Sequence, residues 1–110
     1  MKNIIFIFLI IGTLFSLKAE AKKKPFGNGL YWELTKDGTL LISGKGEMPN
    51  RSPWINKSSK IEKVIIEKGV LSIGGAAFQG NKKKTYSHLK SITIPNSVTS
   101  INYCAFENCI

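Results

Sequence analysis

The stretch IEKVIIEKGVLSIGGAAFQGN, residues 61–81, returns 28 residues later as LKSITIPNSVTSINYCAFENC, residues 89–109. Six of the 21 aligned positions are identical, and the apolar positions keep their class throughout. They pair as Ile61 with Leu89, Val64 with Ile92, Ile66 with Ile94, Val70 with Val98, Ile73 with Ile101, Ala77 with Ala105 and Phe78 with Phe106. Polar positions that vary around a constant apolar set are typical of a repeat architecture. A unit of this size cannot bury its own apolar face, so the sequence predicts repeats that stack on one another.

Each repeat opens with a short run of alternating inward and outward positions, KVII at residues 63–66 and SITI at residues 91–94. Alternation with period two predicts short strands, which lie parallel when successive repeats stack. Each repeat then places a phenylalanine, Phe78 or Phe106, between neighbouring repeats, with Asn81 and Cys109 at the next inward position. The predicted repeat core consists of Ile61, Val64, Ile66, Val70, Ile73, Ala77, Phe78, Leu89, Ile92, Ile94, Val98, Ile101, Ala105, Phe106 and Cys109.

The segment before the repeats, residues 22–60, has a different composition. Two strand-like runs, LYWEL and TLLIS, are joined through Asp37-Gly38, which predicts a β-hairpin. We expect this segment to form a β cap over the end of the repeat stack, because terminal repeats need a cover. Trp32 and Trp54 suit either a sugar-stacking pair or core packing, and packing is the more common role of such residues.

The N-terminus resembles a secretory signal peptide. Met1-Lys2-Asn3 precedes twelve uncharged residues, IIFIFLIIGTLF, and a small-x-small exit follows at Ala19-Glu20-Ala21. The apolar run is shorter than the roughly 20 residues that a membrane-spanning helix needs. We expect cleavage after residue 21, with an uncleaved membrane anchor as the alternative, and a chain that is secreted or held at the cell surface.

The exported chain is basic. The full sequence has 16 Lys and Arg against 7 Asp and Glu, and loss of residues 1–21 leaves 14 against 6, a net charge of +8. Two lysine runs, at residues 22–24 and 82–84, carry much of this charge. A basic surface attracts anionic partners such as sulfated glycans or lipid head groups, although both runs also suit simple solvation. A basic patch interleaved with aromatics on a recognisable nucleic-acid module is absent from the sequence, so no nucleic-acid partner is expected.

The strings I-x-x-V-x-I-x-x-G-V-x-S-I-G-x-x-A-F at residues 61–78 and L-x-S-I-T-I-P-x-S-V-T-S-I-x-x-x-A-F-x-x-C at residues 89–109 resemble BspA-type leucine-rich repeats. The segment with Trp32, Met48-Pro49 and Trp54 is similar to the cap that precedes such repeats in bacterial surface proteins. The resemblance implies a β-rich leucine-rich repeat solenoid with short parallel strands in a right-handed coil. It also implies adhesion or other protein contacts, with host or neighbouring-cell proteins as partners, and no catalytic residues.

The sequence departs from that family pattern in two places, and the first of them contains a candidate binding site. The repeat here is roughly five residues longer than usual. The extra length fits an insertion whose candidate binding residues are Lys82, Lys83, Lys84, Thr85, Tyr86 and His88. Asn102 replaces a usual glycine, and asparagine tolerates the positive φ expected there.

The last repeat lacks a recognisable cap. We therefore expect Ile101, Phe106, Cys109 and Ile110 to be exposed, and the chain to self-associate or to be poorly soluble. The second repeat ends at Ile110, which suits a fragment, a prematurely terminated gene or a chain completed by a partner. The sequence does not separate these.

Catalysis and cofactor binding are not expected. His88 is the only histidine, no nucleophile motif is present, and one histidine with Cys104 and Cys109 falls short of a metal site. Free thiols are favoured over a Cys104–Cys109 disulfide, which would close a very small loop. Two functions remain open, a protein-interaction or adhesion module and a basic protein that binds anionic glycans or envelope surfaces.

Overall fold

A computed structural model describes residues 22–109, so the predicted signal peptide and Ile110 lie outside the described residues. The described part contains short strands and one 3₁₀ helix, at Ile55–Lys60. The strands are β1 (Lys24–Phe26), β2 (Leu30–Leu34), β3 (Thr39–Gly44), β4 (Gly46–Glu47), β5 (Lys63–Ile66), β6 (Val70–Ile73), β7 (Ser91–Thr93) and β8 (Ser100–Ile101). Within residues 22–109, no helix has the length and apolar character required to cross a bilayer.

The strands form two open sheets. The larger sheet has the order β1-β2-β3-β5-β7, and the smaller has the order β4-β6-β8. β1, β2 and β3 are antiparallel neighbours, whereas β3, β5 and β7 pair in parallel, as do β4, β6 and β8. The parallel stacking of the repeats is therefore confirmed, with Val64 opposite Ile92 and Ile73 opposite Ile101.

Three successive layers each contribute one strand to the parallel part of each sheet. We call residues 39–62 layer 1, residues 63–90 layer 2 and residues 91–109 layer 3. Layer 1 was expected to belong to the cap. Instead β3 continues the parallel ladder, with Leu40 opposite Val64 and Ile42 opposite Ile66. The expectation that residues 22–60 only cover the stack is thus too narrow, because the hairpin β1–β2 is the cover and residues 39–62 are a layer beneath it.

A column of aromatic rings runs through the three layers. The ring of Trp54 lies 5.5 Å from that of Phe78, which stacks at 5.4 Å and 6° on Phe106. On its other side Trp54 meets Phe26 and Trp32 edge to face. Trp54 and Phe78 are fully buried, and the Trp54 indole N–H donates to the Ala77 carbonyl at 3.2 Å. Core packing, rather than sugar stacking, is therefore the role of both tryptophans.

The layers turn a corner through residues in the left-handed region. Arg51, Ala76 and Cys104 occupy equivalent corner positions with φ of 73°, 62° and 59°. The expectation that Asn102 adopts positive φ is wrong. The corner residue of this layer with positive φ is Cys104, two positions later. The corners are joined by backbone bonds, since Arg51 N–H donates to Gly75 and Ala76 N–H donates to Tyr103.

Candidate interaction surfaces

The lysine turn, residues 82–84, is held by the side chain that precedes it. The Asn81 Oδ1 atom accepts from the backbone N–H groups of Lys83 and Lys84, each at 2.8 Å. The Asn81 N–H donates in turn to the Lys84 carbonyl at 2.9 Å. Asparagine favours such turns because its side chain bonds the backbone two residues on. Asn81 is therefore exposed and caps the turn, which corrects its expected inward position.

Tyr86 fastens the other end of the turn to the core. Its side chain is fully buried and its ring lies 5.9 Å from that of Phe78. Its backbone N–H donates to the Cys109 carbonyl at 3.2 Å. Tyr86 is thus a core residue that cannot present its side chain to a ligand, although it was predicted as part of a binding loop.

The remaining predicted loop residues lie at or near the surface. Lys82, Lys83 and His88 are exposed, while Lys84 and Thr85 are half-buried. The Nδ1 atom of His88 lies 3.0 Å from the Ser59 carbonyl, which ties the end of the loop to the 3₁₀ helix. The structure therefore brings the lysines together on a turn, whereas His88 makes a structural contact with the 3₁₀ helix.

The hydroxyl of Tyr86 has no hydrogen-bond partner in the described structure. Burial raises the pKa of Tyr86 to about 12, while the side chains of Ser52 and Trp54 act in the opposite direction. The phenol is consequently neutral at physiological pH. A buried polar group without a partner costs free energy, so the ring and not the hydroxyl is what stabilises this part of the core.

We expect Tyr86→Phe to leave the free energy of unfolding unchanged or raised by up to about 1 kcal/mol, since it removes an unpaired hydroxyl. Tyr86→Ala should lower it by about 3–5 kcal/mol, as for other large aromatic residues lost from a core. Urea denaturation of both variants checks the pair. A clear loss of stability in Tyr86→Phe would show that the hydroxyl is bonded in solution, to Ser52 or to a buried water.

Two adjoining depressions form a groove along the corner of the layers, beside the lysine turn. They share Arg51, Ala76 and Gln79 and have volumes of about 670 and 520 Å³. No Asp or Glu of the described chain lines either depression. The groove is lined by Asn50, Arg51, Ser52, Ile55, Gly75, Ala76, Gln79, Gly80, Asn81, Asn102, Tyr103 and Cys104.

Hydrogen bonds between layers fix part of the groove. Asn50 Oδ1 accepts from the Gly75 N–H at 2.7 Å, and Gln79 Nε2 donates to Glu107 Oε1 at 2.7 Å. Tyr103 stands on the rim with 87% of its surface exposed. The sequence contained a partial indication of this site, because the corner residues are polar or small in all three layers, but it did not show that they adjoin.

The far side of layer 3 is an apolar surface that no layer within residues 22–109 covers. Ile94 is 42% exposed and Ile101 is 55% exposed, whereas their counterparts in layer 2, Ile66 and Ile73, are buried. Phe106 is half-buried because only one face of its ring meets Phe78. The expected exposure of Ile101 is confirmed, while Ile110 lies outside the described residues.

The other predicted core positions divide by repeat, with Ala105 as the one buried position of the second repeat. Ile61, Val64, Ile66, Val70, Ile73, Ala77, Phe78 and Ala105 are buried, and Leu89, Ile92, Val98, Phe106 and Cys109 are half-buried against the core. Ile94 and Ile101 are not core residues in the described structure, because the atoms that would cover them belong to a layer beyond layer 3. We call this exposed face of layer 3 the open end.

The opposite end of the stack is covered in the larger sheet only. There β2 pairs with β3 along its whole length, so the first parallel strand has no free edge on that side, whereas β4 is the outermost strand of the smaller sheet. At the open end β7 and β8 are the outermost strands of their sheets. Outermost strands present unpaired backbone groups and serve as templates for pairing with another chain.

Charge is also distributed unevenly along the stack. Residues 91–109 contain one charged residue, Glu107, whereas residues 22–90 contain 14 basic and 5 acidic residues. Depletion of charge is a feature of the buried centre of protein interfaces. The open end therefore combines exposed apolar side chains, free strand edges and little charge.

Both cysteines are free and half-buried. Interaction with the Glu107 carboxylate raises the pKa of the Cys104 thiol, and burial raises that of Cys109. A raised pKa leaves less thiolate at neutral pH, which does not favour a nucleophilic role. Within residues 22–109, no three His, Cys, Asp or Glu side chains come together where they would hold a metal ion.

Comparison with known proteins identifies the repeats. Residues 55–110 match the family described as BspA type Leucine rich repeat region (6 copies). The fold resembles the crystal structure of a leucine-rich repeat protein from Eubacterium ventriosum, with a TM-score of 0.68, 31% identity and coverage of 78% of this chain. The chain spans 23% of that protein's length. No curated protein matches the chain. The matched repeats make up half of the sequence, and the chain belongs to the BspA-type leucine-rich repeat family.

Proposed function

We propose that the chain is a secreted or cell-surface protein-interaction module without catalytic activity, and that its binding surface is the open end. The observation that carries this proposal is the exposure of Ile94 and Ile101 at positions that are inward-facing in layer 2. Contiguous exposed apolar surface is characteristic of interaction sites. Membership of a leucine-rich repeat family supports the same function.

The partner that suits this surface is a second copy of the chain. The hairpin covers the other end of the larger sheet, so the open end of one copy finds its matching surface in the open end of a second copy and not at the cap. Such a contact is isologous and stops at a dimer. The single charge in residues 91–109 leaves little repulsion between the two copies despite the net charge of the exported chain. A different protein at the open end is the other possible occupant.

We take the layers to be turns of a right-handed solenoid, in which the hairpin β1–β2 is the N-terminal cap and the repeats span residues 61–110. The parallel register of three successive layers and the family membership support this arrangement. In such a stack each layer contacts only its neighbours, so the outer face of layer 3 is free within residues 22–109.

Sedimentation velocity of the exported chain at micromolar concentration tests the proposal. We expect a dimer that Ile101→Asp converts to monomer, since a carboxylate in an apolar contact has no compensating partner. Leu71→Asp is the matched control, because Leu71 is 44% exposed on β6, away from the open end. The proposal would be contradicted if the exported chain is a monomer and binds no other protein through the open end. It would also be contradicted if Ile101→Asp and Leu71→Asp weaken the dimer equally.

Export is a separate prediction. The charge-free run at residues 4–15 and the Ala19-Glu20-Ala21 exit predict cleavage before Lys22. Mass spectrometry of the secreted or envelope fraction should give a chain that begins at or near Lys22. Full-length protein confined to the cytoplasm would remove the cell-surface assignment but not the interaction surface.

A further inference from the structure

The groove beside the lysine turn combines cationic groups from two layers. Arg51 lines both depressions, and its guanidinium has no ion-pair partner within the described part of the chain. Asn81 lines the groove and also caps the lysine turn through its side chain. The three lysines therefore stand directly beside the groove. Arg51 and the three lysines outnumber the one carboxylate that contacts a lining side chain, that of Glu107, which accepts from Gln79 Nε2 at 2.7 Å. The excess of positive charge creates a field that attracts an anion.

The other side chains of the groove are suited to hydroxyl groups. Amide side chains both donate and accept hydrogen bonds, and Asn50, Gln79 and Asn102 line the wider depression. The exposed ring of Tyr103 offers an amphipathic face against which a sugar ring can pack. Small residues, Gly75 and Ala76, line the same depression. We propose that this groove binds an anionic polysaccharide, with its hydroxyls at the amides and its acidic groups at Arg51 and the lysine turn.

Contacts at both ends hold the lysine turn in place beside the groove. Asn81 closes it at one end, and Tyr86, buried against Phe78, holds it at the other. Binding loses less conformational entropy when the groups that bind are already ordered. In the basic run at residues 22–24, Lys22 and Lys23 lack such a frame because they are exposed and precede β1, whereas Lys24 lies in β1 with its ammonium over the Trp32 ring, away from the groove-lining residues. Of the two lysine runs, the turn is therefore the one that forms a site.

The side chains that line the groove favour a polysaccharide over other anionic partners. An anionic membrane surface would also attract the cations, but the exposed aliphatic residues Leu71, Ile94 and Ile101 lie on strands or at the open end, so none of them lines the groove to insert among lipids. An acidic peptide would use the cations but would leave the amides and the tyrosine ring without a specific role. This site is separate from the open end and does not depend on the proposed protein-interaction function.

Binding of defined polymers to the exported chain, measured by isothermal titration calorimetry at two salt concentrations, tests the site. The probes are dextran sulfate, polygalacturonate, neutral dextran and polyglutamate. We expect binding to at least one of the two acidic polysaccharides, and which one binds identifies sulfate or carboxylate as the acidic group. Neutral dextran should not bind, and polyglutamate should bind at least about 10-fold more weakly, which corresponds to about 1.4 kcal/mol.

Three variants assign the binding to the groove. Replacement of Lys82, Lys83 and Lys84 by Gln should lower the affinity at least about 10-fold, and Tyr103→Ala should lower it with an unchanged salt dependence, because no charge is lost. The control replaces Lys22, Lys23 and Lys68 by Gln, which removes the same charge from exposed positions that do not line the groove. Equal weakening by the control, polyglutamate binding as tight as the polysaccharide, or no binding to either acidic polysaccharide would overturn the proposal. Thermal unfolding of each variant confirms that the fold is intact.

Discussion

Replacement of Phe78 by alanine is expected to lower the free energy of unfolding by about 3–5 kcal/mol. Phe78 is fully buried and is the central ring of the column, in contact with Trp54, Tyr86 and Phe106. Its removal leaves a cavity that three rings border and that none of them fills without losing another contact. The loss is large against the roughly 5–15 kcal/mol that stabilises typical domains. Urea or thermal denaturation of the exported chain measures it.

Phe106→Ala is the matched control, because it deletes the same side chain from the equivalent position of layer 3. Phe106 is only half-buried, so less apolar surface returns to water and the loss should be about half that of Phe78→Ala. Equal losses would show that the open end is covered in solution, which is also the result expected if the dimer forms. The comparison should therefore be made in the Ile101→Asp background, where dimer contacts are absent.

The repeat register could be predicted from the sequence because both repeats share their apolar positions. Layer 1 was harder to recognise since it departs from that pattern in three ways. Its spacing to the next layer, from Leu40 to Val64, is 24 residues and not 28, its aromatic residue is tryptophan, and a bulge shifts the register between Gly46 and Glu47. Layer 1 can be recognised by a spacing that all three layers share. In each layer the aromatic residue follows the inward strand residue by 14 positions, as Trp54 follows Leu40.

The candidate loop shows where sequence reasoning stops. A tyrosine that follows three lysines has the composition of an exposed loop, and nothing in the repeat pattern assigns it a buried position. Tyr86 is buried because the insertion places its ring against Phe78, a contact that depends on the path of residues 81–86. The exposure of Ile94 has the same origin, since residue type sets the preference for burial but only a neighbouring layer provides it.

Gly44→Ala is expected to have an effect as large as that of Phe78→Ala, although it removes no contact. Gly44 ends β3 with φ of 104°, in a region that side chains other than glycine rarely adopt. A Cβ atom there would lie 2.1 Å from the Gly29 carbonyl oxygen and 2.9 Å from the Leu30 Cα atom. Both are backbone atoms of the cap, so the cap must move. Backbone strain of about 1–3 kcal/mol and overpacking of about 1–3 kcal/mol together predict a loss of about 2–6 kcal/mol.

Gly46→Ala separates the two causes. Gly46 also has positive φ, 131°, but a Cβ atom there would meet only the Asn28 carbonyl oxygen, at 3.2 Å. This variant should lose about 1–3 kcal/mol, from strain alone. Urea denaturation of both glycine variants measures the difference. Equal losses would mean that the hairpin yields to the added methyl group and is less firmly held than its contacts imply.

The cap also determines how the chain associates, so Gly44→Ala has a second expected result. If the added methyl group displaces β2, layer 1 loses its cover and exposes inward side chains such as Leu40 and Ile42, which are buried in the intact fold. The stack then has two open ends, and a contact that stopped at a dimer can continue as a chain of molecules. Sedimentation of Gly44→Ala should show species larger than a dimer, whereas Gly46→Ala should remain dimeric. If both variants form only dimers although Gly44→Ala is destabilised, the cap does not limit association, and the open end alone determines it.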